Sequence, residues 1–315
     1  MEDGRVAVDK ALAEAKPFIV VGIPAYNEEH TIASVVLKAQ AYADRVVVCD
    51  DGSSDMTAEI AERLGAEVIR HERNFGYGCT IRSLFSRARE LGADVLVTLD
   101  GDGQHDPSEI PQVVKPVVEG VADIAIGSRF VDERLAYIVP WYRRAGIKFI
   151  TRLTNSSAKY GVKDAQSGFR AYSRSAIESL HLVENGMGVS VEILLNAKKE
   201  GLRISEVPAR CKYDSRVKRH SQSAISHGAE VVMSLVRLIV EERPLIVLGI
   251  PGILFLAAGV FFGVWMLQIY AAERQIMTNV ALASIAFTLI GFFILSTAIT
   301  LYAISRLSQK MNNRR

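Results

Sequence analysis

The sequence predicts an α/β domain with a mostly parallel sheet, followed by an apolar two-helix hairpin. Three observations carry this expectation. Short apolar runs alternate with helix-period segments from Phe18 to Gly127, a polar cluster follows each run, and two long uncharged stretches lie near the end of the chain. Alternating strands and helices of this length build a parallel sheet with helices on both faces. Ligands bind such sheets beyond the carboxyl ends of the strands, which is where the polar clusters fall.

Taken in order, Phe18 to Ile23 (FIVVGI) is a buried-type strand that runs into Pro24-Ala25-Tyr26-Asn27-Glu28, and Glu29 to Ala41 has helical periodicity. The second strand, Arg45 to Cys49, ends in Asp50-Asp51-Gly52-Ser53-Ser54-Asp55. Asp55 is placed to cap a helix over Met56 to Leu64, and Gly65 to stop it. A short strand, Glu67 to Arg70, leads to Asn74-Phe75-Gly76-Tyr77-Gly78 and a helix through Glu90. The fourth strand, Asp94 to Leu99, delivers Asp100; the fifth, Asp123 to Gly127, delivers Ser128 and Arg129.

Leu99 to Pro107 (LDGDGQHDP) presents Asp100, Asp102, Gln104 and Asp106 in alternation, with Gly101 and Gly103 as spacers. Carboxylates this close raise one another's pKa unless a cation lies between them. Oxygen donors without a thiolate suit Mg²⁺ or Mn²⁺, which keep open positions for phosphate oxygens. An acidic turn at a strand end is the alternative for Asp100 and Asp102. Asp106, followed by Pro107 and Glu109, reads as a helix N-cap with a capping box. His105 reads as a structural residue that orders the loop, and His30, His71, His181, His220 and His227 as incidental. Neither a strand-linked GxGxxG nor a Walker pattern occurs, so a nucleotide would be held by carboxylates and a metal rather than by a glycine cradle.

With 315 residues, 49% of them hydrophobic, the chain has ample core for one large domain and a smaller part. Cys49, Cys79 and Cys211 are scattered without metal-type spacing and read as reduced thiols. The first residues mix charges and lack the apolar stretch of a cleaved signal. Leu245 to Tyr270 and Gln275 to Ser305 carry no charged side chain, and each exceeds the roughly 20 residues that span a bilayer. Arg237 and Arg243 precede this hairpin, and Arg306, Lys310, Arg314 and Arg315 follow it. The positive-inside rule therefore puts both flanks and both termini in the cytoplasm. Arg210 to Arg219 is a basic run, and Ile225 to Glu242 has the polar spacing of an interfacial amphipathic helix suited to membrane lipids. The expected division is an arm (1–17), an α/β domain (18–224), the interfacial helix (225–243), two transmembrane helices (244–305) and a basic tail (306–315).

PAYNE at Pro24 to Glu28, DDGSSDMT at Asp50 to Thr57, DGDGQHDP at Asp100 to Pro107, GSRF at Gly127 to Phe130 and DAQSGFRAY at Asp164 to Tyr172 stand in this order. In these motifs the sequence resembles the family 2 glycosyltransferases, and most closely the dolichyl-phosphate (polyprenyl-phosphate) sugar synthases. The resemblance implies a GT-A nucleotide-sugar-binding domain, inversion at the transferred sugar, and a nucleotide-diphosphate sugar of the GDP-mannose, UDP-glucose or UDP-N-acetylhexosamine type as donor. By matching position it implies that Pro24, Ala25, Tyr26, Glu28, Asp51 and Asp100 line the nucleotide site, with Asp51 at the base. Asp100, Asp102 and Gln104 would hold the metal. Arg129, Arg143 and Arg144 would meet the acceptor phosphate, and Asp164, Ser167 and Gly168 would border the acceptor, with Arg210 in the basic run beside it. Glu192 stands where the family carries a structural or site-facing carboxylate.

The chemistry is consistent with that reading. Charge building on a nucleoside diphosphate leaving group is stabilised by a divalent cation, which puts Asp102 in a catalytic role. A phosphate monoester, with its second pKa near 6, is already nucleophilic at neutral pH and needs no general base. It needs cations, and arginine's planar donor fork suits phosphate, which makes Arg129 and Arg143 the other candidates. The bland reading of each arginine is a surface charge. Rival functions are a glycolipid or polysaccharide transferase with a hydroxyl acceptor and, remotely, a non-catalytic membrane scaffold. No nucleic-acid partner is expected, and the exposed hairpin faces leave a homo-oligomer open.

Overall fold

The structure, a computed structural model, describes residues 16–136, 139–158, 160–212 and 248–312. The interfacial helix over 225–243, the basic run beyond Lys212 and most of the N-terminal arm lie outside the described residues. The chain divides into two compact units, Met1–Ser234 and Leu235–Arg315.

In the first unit the apolar runs become β1 (Ile19–Ala25), β2 (Arg45–Asp50), β3 (Glu67–Arg70), β4 (Val95–Thr98) and β5 (Ile124–Ser128). They are joined by β6 (Arg170–Ser173) and β7 (Ile204–Pro208) in one sheet of order β3-β2-β1-β4-β6-β5-β7. All pairings are parallel except those of β6, which runs antiparallel between β4 and β5. The mostly parallel sheet is thus as expected. β6 and β7 are additions: RAYS and ISEVP are short and polar and lack an apolar run.

Side chains alternate across a strand, so runs such as IVVGIPA feed two cores at once. On one face Val20, Val47 and Leu96 pack with Ile81, Leu84 and Phe85. On the other, Val21, Val48 and Val97 pack with Ile32, Val36 and Val113. The helices are α1 (Ile32–Ala39), α2 (Thr57–Arg63), α3 (Tyr77–Leu91), α4 (Ile110–Val118), the short α5 (Glu133–Ala136), α6 (Trp141–Ala158), α7 (Arg174–Ser179) and α8 (Val189–Lys199). Helix α1 is shorter than its periodicity suggests, because Glu28 to Thr31 form a turn that serves the neighbouring loop.

Two caps differ from expectation. Asp55 sits one residue before the N-cap position of α2, which falls on Met56, and accepts from the amides of Thr57 at 3.0 Å and Glu29 at 3.2 Å, so it joins two loops rather than serving as the cap. Asp106 caps Pro107–Glu109 through the Ser108 amide, as predicted. Glu109, however, does not close a capping box; its carboxylate accepts from the Arg210 amide at 2.9 Å.

In the second unit, α9 (Gly249–Glu273) and α10 (Thr278–Asn312) are long and apolar enough to cross a membrane. They pack tightly because glycines meet backbone. A Cβ on Gly259 would lie 2.7 Å from the Thr288 nitrogen, and one on Gly291 2.6 Å from the Leu256 nitrogen. Ser284 Oγ donates to the Gly259 carbonyl at 2.8 Å.

Candidate active site

The loops after β1 and β2 are locked to each other. Asn27 adopts φ +55°, a left-handed conformation that asparagine tolerates better than most residues. There its amide donates to Ser53 Oγ at 2.8 Å while its side-chain oxygen accepts from the Ser54 amide at 2.8 Å. The Glu28 amide donates to Thr57 Oγ1 at 2.7 Å. Pro24 and Ala25 end β1 against β2, and Tyr26 presents an exposed ring beside this joint.

Asp51 is buried and fully engaged. Its carboxylate lies 2.7 Å from His71 Nδ1 and accepts from the amides of Phe75 at 3.0 Å and Gly76 at 2.8 Å. The side chain expected at the base therefore holds the loop that precedes α3. His71 is not incidental: its other ring nitrogen lies 2.9 Å from Ser83 Oγ on α3, so the ring ties Asp51 to that helix.

Beyond β4, Asp100 is half-buried beside the Tyr77 hydroxyl, which donates to it at 3.0 Å. Burial and the Asp102 charge push the Asp100 carboxyl up to about 6, against the pull of Tyr77, Arg129 and Arg170. Burial first, then the Asp100 charge, holds the Tyr77 phenol well above its usual value, so it remains a donor. Gly168 fits against both groups: a Cβ there would stand 2.7 Å from the Tyr77 oxygen and 2.8 Å from an Asp100 oxygen.

Gly168 reaches this place because β6 is antiparallel. A strand running against β4 and β5 begins where they end, so the residues before β6 lie on the same sheet edge. Thr98 Oγ1 donates to the Gly168 carbonyl at 2.7 Å, and Ser167 Oγ donates to the Gly127 carbonyl at 2.6 Å. Arg129 meets Asp164 bidentately, with Nε and Nη2 each at 2.7 Å from a carboxylate oxygen. Arg170, buried at 1% exposure, donates to the carbonyls of Ser167, Ala165 and Ser190 at 2.8, 2.7 and 3.1 Å.

The model of glycosyl transferase family 2 matches residues 20–180, just over half of the chain. The chain belongs to this family. It is 35% identical over 219 residues to the UDP-N-acetylglucosamine–dolichyl-phosphate N-acetylglucosaminyltransferase of Methanococcus voltae, which covers 63% of this chain and 87% of that protein. It is 33% identical over 229 residues to the dolichyl-phosphate hexose transferase of Haloferax volcanii, covering 71% of this chain and 95% of the relative. Among solved structures it is similar to Mycobacterium tuberculosis glucosyl-3-phosphoglycerate synthase crystallised with Mn²⁺ and UDP-glucose. The TM-score is 0.58 at 24% identity, over 74% of this chain and 81% of the other. The first unit of this family 2 glycosyltransferase thus has the GT-A fold that the resemblance implied.

The glycosyltransferase's acidic edge fits a divalent cation through two carboxylates. A half-buried Asp100 facing the Asp102 charge is a repulsion that a cation removes. The oxygen of Gln104 is turned away from this pair, toward Cys211 Sγ at 3.6 Å, while its amide nitrogen donates to Asp102. Gln104 thus braces Asp102 in this geometry. Among the described residues no cluster of three or more His, Cys, Asp or Glu could hold a metal. Asp100 and Asp102 would leave the other positions to diphosphate oxygens and water, a usual arrangement for Mg²⁺.

The remaining predicted residues fall in two groups. Asp164 and Ser167 are buried and Gly168 lies close against Tyr77 and Asp100; all three hold the sheet edge together. Arg143 and Arg144 lie in the first turn of α6, Arg144 half-buried. Arg210 is exposed, with its backbone amide on Glu109. His105 is structural as expected: burial lowers its pKa to about 4, and its Nδ1 faces the Arg210 carbonyl at 3.2 Å. Glu192 accepts from the amides of Val183 at 2.8 Å and Glu184 at 3.0 Å, which decides for the structural alternative. Sequence reasoning missed Tyr77, His71 and Arg170. The signal for Tyr77 was its place between Gly76 and Gly78 after a strand end; Arg170 lay inside GFRAY without an assigned role.

Proposed function

We propose that this glycosyltransferase moves one sugar from a nucleotide-diphosphate sugar to a dolichyl or polyprenyl phosphate, with inversion and with a divalent cation at Asp100 and Asp102. The observation that carries this reading is the meeting of two chemistries on one sheet edge. A carboxylate pair that favours a cation lies within electrostatic reach of Arg129, whose guanidinium Asp164 holds in place. A cation on the carboxylates neutralises the leaving diphosphate. Tyr26, Pro24 and Ala25 border the base and ribose, and the Asp51-held loop shapes that pocket. Arg129, with Arg143 and Arg144, seats the acceptor phosphate, which is dianionic at neutral pH and attacks without a protein base. The Methanococcus voltae and Haloferax volcanii relatives support the lipid-phosphate acceptor by their names. The Mn²⁺ and UDP-glucose complex of the mycobacterial synthase supports the metal and the donor class.

The two apolar helices anchor the enzyme as a membrane hairpin. The arginines and lysines at both flanks support a cytoplasmic catalytic domain and cytoplasmic termini. The domain division given by the sequence, from the arm (1–17) to the basic tail (306–315), belongs to the same proposal.

The test is transfer of labelled sugar from a panel of UDP- and GDP-sugars to dolichyl phosphate in detergent, with Mn²⁺ or Mg²⁺ and with chelator. Chelator-sensitive product from one donor is the expected result. Transfer only to a lipid hydroxyl would replace the acceptor reading, and no transfer with no nucleotide binding would end the enzymatic one.

A further inference from the structure

We propose that Tyr77 is a positioning residue for the cation site, fixing Asp100 and linking it to the loop that Asp51 holds. The inference rests on the reading of Asp100 and Asp102 as the cation pair.

The hydroxyl of Tyr77 donates to Asp100 at 3.0 Å from a ring packed against the core. The backbone on both sides of that ring is held. Toward the nucleotide pocket, Asp51 takes the amides of Phe75 and Gly76, the two residues before Tyr77. On the other side, the Gly78 amide donates to the Asn185 carbonyl at 2.7 Å, in a loop whose Val183 and Glu184 amides rest on Glu192. The approach of these loops requires glycine. A Cβ on Gly76, at φ +99°, would stand 2.5 Å from the Asn185 oxygen, and one on Gly78 2.1 Å from the Glu184 oxygen. Gly168 lies against both groups, where any Cβ would stand 2.7 Å from the Tyr77 oxygen and 2.8 Å from an Asp100 oxygen. A shift of the Asp51-held loop is therefore passed to Asp100 through one side chain. Outer hydrogen bonds of this kind set the orientation, and so the affinity, of metal-binding carboxylates.

The experiment measures free Mn²⁺ by its paramagnetic resonance signal during titration of the full chain in detergent, with UDP or with GDP present and no acceptor. Wild type, Tyr77→Phe, Gly168→Ala and Asp102→Ala are compared, each with its melting temperature. Tyr77→Phe keeps the ring and removes the donor. It should weaken Mn²⁺ binding by about ten- to a hundredfold, the range for lost outer-shell partners, without lowering the melting temperature. In transfer assays the Mn²⁺ concentration for half-maximal rate should rise while kcat at saturating Mn²⁺ stays near wild type. Gly168→Ala should weaken Mn²⁺ binding from the opposite side and serves as the decisive variant if Tyr77→Phe does not fold. Wild-type Mn²⁺ affinity in the folded variants overturns the positioning role alone. A wild-type chain that binds no Mn²⁺, or binds it no better than Asp102→Ala, overturns the cation site and this inference together.

Discussion

Arg129 and Asp164 form a forked ion pair in which the Asp164 side chain is wholly buried, and the Arg129 amide adds a third bond to the same carboxylate at 3.1 Å. The pair joins the end of β5 to the segment that leads into β6, so the antiparallel strand and the guanidinium are held by one contact. Burial alone would raise the Asp164 carboxyl, but the Arg129 charge and hydrogen bonds outweigh it and keep it below 3.8.

Removing that carboxylate leaves a guanidinium mostly out of water without its countercharge. Asp164→Ala should lower stability by about 3 kcal/mol in urea unfolding, the scale for breaking a buried pair, and should abolish transfer. The pH dependence follows from the depressed folded value. The stabilisation is present above the unfolded pKa, about 3.9, and is lost as pH falls through the lower folded pKa. The wild-type melting temperature should fall below about pH 4 as Asp164 is protonated. Asp164→Asn, less stable at neutral pH, should show a shallower acid slope; an unchanged slope would mean the pair does not set it.

Asp102→Ala takes away the charge that faces Asp100. Its transfer rate should drop by about 10²–10³, the cost of losing a stabiliser of developing negative charge. The fold should be retained, because the Asp102 loop is also tied by the Lys212 amide to the Gln104 carbonyl. Initial rates across a Mn²⁺ series decide it, and wild-type rates at every concentration would remove Asp102 from the site.

His71→Phe keeps a ring against Phe75 and removes the polar contacts to Asp51, Ser83 and the Cys49 thiol. Asp51 is then buried with one fewer donor, which should cost about 1–3 kcal/mol in stability. The donor-sugar KM should rise several-fold with a smaller change in kcat, since the Asp51-held loop, proposed to shape the nucleotide pocket, loosens while the sheet edge stays. Saturation kinetics at fixed acceptor would show the split; equal KM values would make the histidine purely a packing group.

Gly259→Ile forces a branched side chain against the Thr288 backbone in the apolar hairpin. The overpacking should cost about 1–3 kcal/mol and part the two helices. Hydrogen exchange in detergent should quicken in peptides from α9 and α10 and stay unchanged in β1 to β4. Faster exchange in the strands instead would show that the two units do not respond separately.

The order of strands β1 to β5, the two sheet faces and the apolar hairpin were legible because each rests on local periodicity and composition. The acidic turn after β4 and the Asp106 cap were legible for the same reason: their spacing in the chain is their spacing in space. What tertiary structure alone decided is how residues distant in sequence share one edge. A short polar strand, β6, inserts against the direction of its neighbours and brings Gly168 onto Tyr77 and Asp100, and Asp164 onto Arg129. Nothing periodic marks RAYS as a strand, because its pairing energy comes from the two strands that flank it. Likewise His71 looks incidental in the chain and acquires Asp51 and Ser83 only when β2, β3 and α3 pack. Local sequence determined which elements form and which residue types stand at their ends. Long-range hydrogen bonding and close packing decided which of those residues meet on one sheet edge and which hold the others in place.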